Sequence, residues 1–570
     1  MLIIGLLYSL TTKVNMRNRK CYIIGGGLGS LASASFLVRD GGIRGEDVMV
    51  LEENGITGGS LDAQHIAADD GYVMRGFRML EGRVYSCLFD LLASMPSLNA
   101  PGRTVLQEFN DFNERIQVHA SARLIAAGKV ISCFPFDLHW KDRLRTLWLL
   151  IRPEATFGDT TIQDYFSASF FASNFWIQFC TTFSFQPWHS LIELRRYCLR
   201  FYHASPLLGT MDCVQLTPSN EYETIILPLT QWLKEQRVNF TLDVKVVDLD
   251  FAHANGRTTV SRIHYIQDGA SHQIEIDEDD LVFATLGSMT ANSSLGSMDA
   301  APRIGAGHKD ASWLLWERIS AKEPVLGTPS FFTGAVEKSQ WVSFTLTLRD
   351  SAFVDLLNSL TRRKTGTEGI VTLTDSGWLL SFAVMPFPYF RNQPEHVSIC
   401  WGYGLLPDRP GTYVKKRMLD CTGKEILTEL CHLLRFEGAL EHIVETSTCI
   451  PCWMPYVTSQ FLPRSRASRP PVVPRNFANL ALLGQYCEVA DDIVFTMEYA
   501  VRSAQTAVYS RLGLDRKVTP IYKGYRDFGH ICGMLRTVLT CGASVPGGPA
   551  SARSRGLPPV VHGVETDHAH

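Results

Sequence analysis

The densest chemistry-bearing signal in the chain is a glycine string. Gly25-x-Gly27-x-x-Ser30 departs from G-x-G-x-x-G only at its third place, where a small residue still lets a helix pack close to a sheet. The first glycine permits a tight turn. The second admits a pyrophosphate against the backbone, where the free N–H groups of a helix N-terminus meet it. Glu52 lies 27 residues beyond Gly25, placed to accept a hydrogen bond from a ribose 2′-OH. The usual spacing of about 20 residues is stretched here by the polar turn from Asp40 to Asp47. Taken alone, such a string also fits a turn without a ligand. Cys449-Ile450-Pro451-Cys452 is the one C-x-x-C among 14 cysteines. No second pair completes the four ligands of a zinc site, so no metal is expected and the thiols read as buried and reduced.

The elements around the string are those a nucleotide needs. Cys21 to Ile24 is a short apolar run, Leu31 to Arg39 reads as a helix of small and apolar residues, and Val48 to Leu51 reads as a second strand. Strand, glycine turn, helix, strand and acidic end make a βαβ unit, a much stronger signal than the glycines alone. Gly58-Gly59-Ser60 resembles the second glycine patch of FAD-binding proteins and favours FAD over a nicotinamide. Further on, Met95 to Phe201 is dense in aromatics, and Leu191 to His203 has helical spacing with Arg195, Arg196 and Arg200 among apolar positions. Short strands are predicted at Val238 to Phe240, Val244 to Leu249, Ile263 to Tyr265 and Leu281 to Leu286. Others fall at Trp341 to Leu348, Val397 to Trp401 and Leu480 to Gln485, before a helix from Glu498 to Leu512. Arg464 to Arg475 is basic and proline-rich and reads as a surface loop. His189 and the arginines after it read as makers of structural hydrogen bonds.

Composition limits the function classes. The chain has 570 residues, 45% apolar and 19% charged. At about 150 residues per domain this suggests three to four lobes with ample core, and excludes collagen-like and wholly disordered chains. Lys and Arg number 54 against 57 Asp and Glu, so no broad nucleic-acid footprint is expected. The opening run Met1 to Leu7 lacks a basic flank and falls short of the ~20 residues of a membrane span. Translation starting at Met16 would leave that run aside. The expected location is the cytoplasm.

Several blocks together resemble the oleate hydratase family, also called myosin-cross-reactive antigen proteins. They include Glu52-Glu53 followed by Gly58-Gly59-Ser60-Leu61-Asp62-Ala63, Gly71 to Arg78, Trp188-His189-Ser190, and Asn220-Glu221-Tyr222-Glu223. Gly287-Ser288-Met289-Thr290, Met454 to Phe461, Gly484-Gln485 and Val494 to Tyr499 extend the likeness over about residues 20–525. The resemblance implies an α/β fold: a Rossmann-like FAD-binding domain, an interleaved α+β substrate domain and a C-terminal helical lid. The expected division is an extension at 1–20, FAD-binding parts at 21–95, 206–300 and 475–515, and an aromatic-rich substrate and lid part at 96–205. A substrate domain at 301–463, a lid at 516–540 and a disordered tail at 541–570 complete it. Implied cofactor contacts add Arg75, Val246, Gly287, Ser288, Gly484 and Gln485 to Gly25, Gly27, Ser30, Glu52, Gly58, Gly59 and Ser60.

The implied activity is addition of water to an isolated cis double bond of an unsaturated fatty acid, with FAD doing no net redox work, in a homodimer. An isolated alkene is a poor base, so one carbon needs a proton donor and the other a positioned water. The resemblance maps the donor onto Tyr222. The family's water-activating glutamate follows R-G-G-R, but here the run is Arg75-Gly76-Phe77-Arg78-Met79, and a thioether takes no proton at neutral pH. Glu81, two residues on, is the replacement expected to orient the water, together with backbone carbonyls. Thr458 and Gln460 are polar residues in an apolar block and are expected to touch substrate; the aromatics of 95–203 suit an acyl tunnel. Tyr522 to Leu539 reads either as a lid packed on its own protein or as a segment resting on a membrane. Two other readings stay open: a redox FAD enzyme acting on fatty acids (isomerase or oxidase type), and a non-catalytic fatty-acid-binding member.

Overall fold

The structure is a computed structural model that describes residues 19–66, 71–305, 310–465 and 467–533. The apolar run at Met1, the alternative start at Met16, the tail 541–570 and the lid residues after 533 lie outside the described residues.

Five parallel strands form the nucleotide-type sheet, in the order Leu480–Leu483, Leu281–Thr285, Cys21–Ile24, Val48–Leu51, Asn239–Thr241. Cys21–Ile24 and Leu480–Leu483 are buried at every position. That is why they read as unbroken apolar runs and not as alternating ones. The helix Leu28–Arg39 crosses this sheet with residues 28 to 37 all buried. Its small side chains admit the helix Met497–Leu512: a Cβ on Gly29 would stand 3.5 Å from the Ala500 carbonyl. Beside the sheet lies an antiparallel meander, Val244–Ala254, Arg257–Gln267 and Ala270–Glu275. The long first strand carries the predicted Val244 to Leu249 well beyond its expected end.

An eight-stranded mixed sheet makes the second layer. Its middle strands, Ser447–Met454, Trp341–Leu348, Ser398–Gly404 and Leu380–Val384, are antiparallel neighbours. The ribbon Ala63–Ile66 and Gly71–Met74 lies on this sheet, its Tyr72 and Met74 N–H groups donating to Thr347 and Thr345 Oγ1. The ribbon thereby leads the chain from the glycine turns to Arg75–Glu81. Cys449 and Cys452, three apart on one strand, point to opposite faces and join different cores. Burial pushes the Cys452 thiol up to about 12. Among the described residues no group of three or more His, Cys, Asp and Glu is placed to hold a metal ion. No described helix is long and apolar enough to cross a membrane.

Arg464 to Arg475 corrects the expectation of a surface loop. Arg469 is buried, and Arg464 and Arg469 stand 2.7 and 3.2 Å from the fully buried carboxylate of Glu193. Burial alone would raise that carboxyl, but Arg464, Arg469 and Arg196 hold it at about 2. Arg464 and Arg469 are thus interior counter-charges rather than solvated ones, while Arg475 is exposed. His189 fills the structural role expected of it: it is fully buried, its Nδ1 accepts from the Gln186 N–H, and burial lowers it to about 3.

Candidate active site

The turn after Cys21–Ile24 brings Gly25–Gly29 to the wall of a cavity of about 370 Å³. Glu52, at the end of the neighbouring strand, faces the same space. Its Oε2 accepts from the Gly26 N–H at 2.5 Å and its Oε1 from the Asn54 N–H at 2.8 Å. Burial pushes this carboxyl up while those N–H groups oppose the shift. The second glycine patch closes on the first: Gly58 N–H donates to the Gly26 carbonyl at 2.9 Å, and a Cβ on Gly59 would stand 3.2 Å from Gly27 Cα.

Of the expected cofactor residues, Gly25, Gly27, Glu52, Gly59, Ser60, Arg75, Val246, Gly287, Ser288, Gly484 and Gln485 line the cavity. Ser30 and Gly58 stand behind its wall. Ser30 Oγ shares a hydrogen bond of 2.8 Å with Thr285 Oγ1. Arg75 pairs with Asp62 at 2.6 Å and donates to the Gly59 and Thr290 carbonyls. Arg78 donates to the Ser60 carbonyl at 3.0 Å. Two arginines therefore clamp the second glycine patch from the cavity side.

The wall is otherwise largely apolar, with Phe136, Phe175, Phe179, Phe183 and Phe201 of the aromatic-rich segment, Leu207 and Leu208 just after it, and Trp341 and Tyr403 of the large sheet. Phe77, Met79 and Glu81 also line it. Glu81 is buried; Oε2 accepts from the Arg83 and Val84 N–H groups at 3.0 and 2.9 Å, and Oε1 lies 3.2 Å from His203 Nε2.

Over residues 18–509 the sequence matches the MCRA family. The chain belongs to that family. It is 36% identical over 517 residues to the oleate hydratase of Streptococcus pyogenes serotype M49 (strain NZ131), covering 88% of this chain and 86% of that protein. It is 32% identical over 542 residues to the linoleate hydratase of Lactiplantibacillus plantarum, covering 88% of this chain and 94% of that one. Among solved structures, cyclohexylamine oxidase from Brevibacterium oxydans gives a TM-score of 0.49 at 13% identity, over 87% of this chain and 99% of that chain. The family read from the sequence motifs is the family found.

In this MCRA-family chain Tyr222 does not line the cavity. It opens a π-helical turn, Tyr222–Ile226, of the kind that often marks functional positions. Its half-buried ring rests against Gly58, where an added Cβ would come within 3.2 Å of Cδ2. Burial, with Asp62 nearby, pushes its phenol up. Thr458 and Gln460 also stay outside the cavity. Thr458 Oγ1 donates to the Ser339 carbonyl and borders a separate space of about 100 Å³. Gln460 is fully buried and donates to the Val457 carbonyl.

Sequence reasoning left out Arg78, Glu221 and Arg143. Glu221 is buried and accepts from the Arg78 N–H at 3.1 Å, a contact that the N-x-Y-E spacing alone gives no reason to expect. Arg143 lines the cavity with its Nε donating to the Leu138 carbonyl. Its place in an amphipathic helix beside the aromatics was the available signal.

Proposed function

We propose that the chain is an FAD-containing hydro-lyase that adds water across an isolated cis double bond of an unsaturated fatty acid. One observation carries the reading: a single cavity is lined both by glycine backbone and by a set of phenylalanines. The MCRA membership and the hydratase relatives support it. The residues present fit FAD, because the two glycine turns leave backbone where side chains would intrude and Glu52 faces the same space. Gly25–Gly29, Glu52, Arg75 and Gly484-Gln485 would hold it, and the bound flavin would supply a polarisable surface beside the developing cation.

Burying the acyl chain against the phenylalanines contributes roughly 0.8 kcal/mol per CH₂ and excludes bulk water. Tyr222 rests against Gly58 outside the cavity, so in this mechanism its ring turns inward past the second glycine patch and its Oη gives its proton to one alkene carbon. Water bonds to the other carbon while Glu81 holds it and accepts the proton it releases, which then returns to Tyr222. The sum is alkene plus water to alcohol, with no electron gained or lost. The Tyr222 phenol is neutral at pH 7 with or without the upward push of burial, which weakens it as an acid, so proton transfer relies on its placement against the alkene. A homodimer belongs to the same reading and is tested by light scattering.

The test is anaerobic incubation of the yellow protein with a panel of unsaturated fatty acids. Product heavier by one water, with the flavin spectrum unbleached, is expected. Bleaching by substrate would identify a redox enzyme, and bound acid without product a carrier protein. Tyr222→Phe is expected to lower turnover at least ~100-fold, the lower range for loss of a general acid. Tyr85→Phe is the comparison, because Tyr85 does line the cavity. Full turnover in Tyr222→Phe would remove Tyr222 as the donor.

A further inference from the structure

The helix Trp140–Ile151 is apolar where a soluble helix is polar. Trp140, Leu144, Trp148 and Ile151 are 58%, 48%, 59% and 73% exposed. At about 100° per residue they share an arc of about 80°. Lys141, Arg145 and Arg152 occupy the next ~60° on one flank, and the Lys141 ammonium sits 5.6 Å over the Trp140 ring. Asp142, the acid of this helix, is turned inward and held by Ser167, Ser169 and Arg145. On the inner side Arg143 and Thr146 form part of the cavity wall.

Exposed tryptophans with a cationic flank are what an interfacial helix presents to lipid: rings at the headgroup level and cations on anionic phosphates. A second copy of the chain fits the stripe poorly. Twelve residues give a face about 18 Å long and 10 Å wide, roughly 180 Å², against about 800 Å² per partner in a stable pair. A two-fold contact would also set the cationic flanks of two copies close together.

We propose that this helix docks the protein on an anionic bilayer surface, so that fatty acid passes from the lipid into the cavity behind the helix. The passage of substrate rests on the hydratase reading; the docking does not. In the other candidate, Tyr522 onward, Tyr522 is bound to its own protein, with Arg83 donating to its Oη and its ring edge-on against His203; Phe528 is 79% exposed there, but it is a single ring and not a stripe.

The test is sedimentation of the full-length, flavin-loaded protein with vesicles of phosphatidylcholine alone or mixed with phosphatidylglycerol. Wild type is expected to pellet with the anionic vesicles and to be released by salt. Binding is expected to fall at least fivefold for each cation removed in Lys141→Ala and Arg152→Ala, following from about 1 kcal/mol per cation. Trp140→Ser/Trp148→Ser is expected to abolish pelleting, and Ile151→Ser to weaken it; these side chains are exposed, so circular dichroism should match wild type. Turnover on albumin-delivered fatty acid should stay unchanged in all of them. Wild type remaining in the supernatant, or the double tryptophan variant binding like wild type, would overturn the proposal. A dimer turned to monomer by the tryptophan substitutions, with vesicle binding intact, would overturn it in favour of a second copy. Vesicle binding without hydration product would leave the docking standing and defeat the hydratase reading alone.

Discussion

Replacing Gly59 by alanine separates two effects that a glycine-rich cradle usually mixes. Gly59 and Gly42 both have left-handed backbone, at φ +57° and +65°. Alanine in that region costs about 1–2 kcal/mol at either position. The surroundings differ: at Gly42 an added Cβ would meet nothing within 4 Å, whereas at Gly59 it would stand 3.2 Å from Gly27 Cα. Gly42→Ala is therefore expected to lower the melting temperature slightly and leave flavin binding untouched. Gly59→Ala carries the same backbone cost and also forces the two turns apart by a few tenths of an ångström, where the pyrophosphate of the proposed FAD would sit against main-chain N–H groups. A loss of about 1.4 kcal/mol in binding is a tenfold weaker Kd, and tenfold or more is the expected effect. Titrating apo-protein with FAD while following flavin fluorescence, beside thermal unfolding of both variants, gives the numbers. Unchanged FAD affinity in Gly59→Ala, or an equal loss in Gly42→Ala, would refute the assignment of the paired turns to the cofactor.

Acid stability should report Glu193. Its folded carboxyl titrates near 2 against 4.5 for an unperturbed one. The stabilisation is thus complete above about pH 4.5 and lost as the pH falls toward 2, about 3 kcal/mol in all. Glu193→Gln should lower the melting temperature at pH 7 and flatten the acid slope between pH 4.5 and 2; an unaltered slope would contradict the burial of Arg464 and Arg469 around it. Glu81→Gln keeps an oxygen for the Arg83 and Val84 N–H groups but loses the base. It should lower kcat at least ~10-fold at constant flavin content, and a full kcat would pass the water-orienting role to backbone carbonyls.

The βαβ unit was legible because its information is local: glycines, strand period and acidic end fall within about 30 residues. Trp341 to Leu348 was read with the ends the structure has, since a long run of β-branched and aromatic residues leaves little room for another reading. Within Arg464 to Arg475, Arg464 and Arg469 were misread as solvated because their partner is distant. Arg469 meets Glu193 across 276 positions, and no local pattern distinguishes a buried arginine from a solvated one. Thr458 and Gln460 were singled out by polarity, but polarity says nothing about which way a side chain turns; both spend their hydrogen bonds inside the protein. For Tyr222 the motif carried the residue, while its position behind Gly58 depends on how the π-helical turn packs against the second glycine patch.

That packing bears on why a reaction without redox change would keep a flavin. The second glycine patch is fixed by Arg75 to Asp62 and by Arg78 to the Ser60 carbonyl, and the Arg78 N–H is held by Glu221. Glu221 is bonded covalently to Tyr222, whose ring lies on Gly58. A continuous path of hydrogen bonds and one peptide bond therefore joins the proposed cofactor wall to the proposed proton donor. Glu221 is buried, and burial raises its carboxyl while Arg78 opposes the shift; displacing Arg78 leaves a buried acid without its counter-charge. An emptied cradle frees the glycine patch to move, and with it the seat of Tyr222. Binding energy from the nucleotide end would then be spent on positioning the phenol, a use that needs no electron transfer.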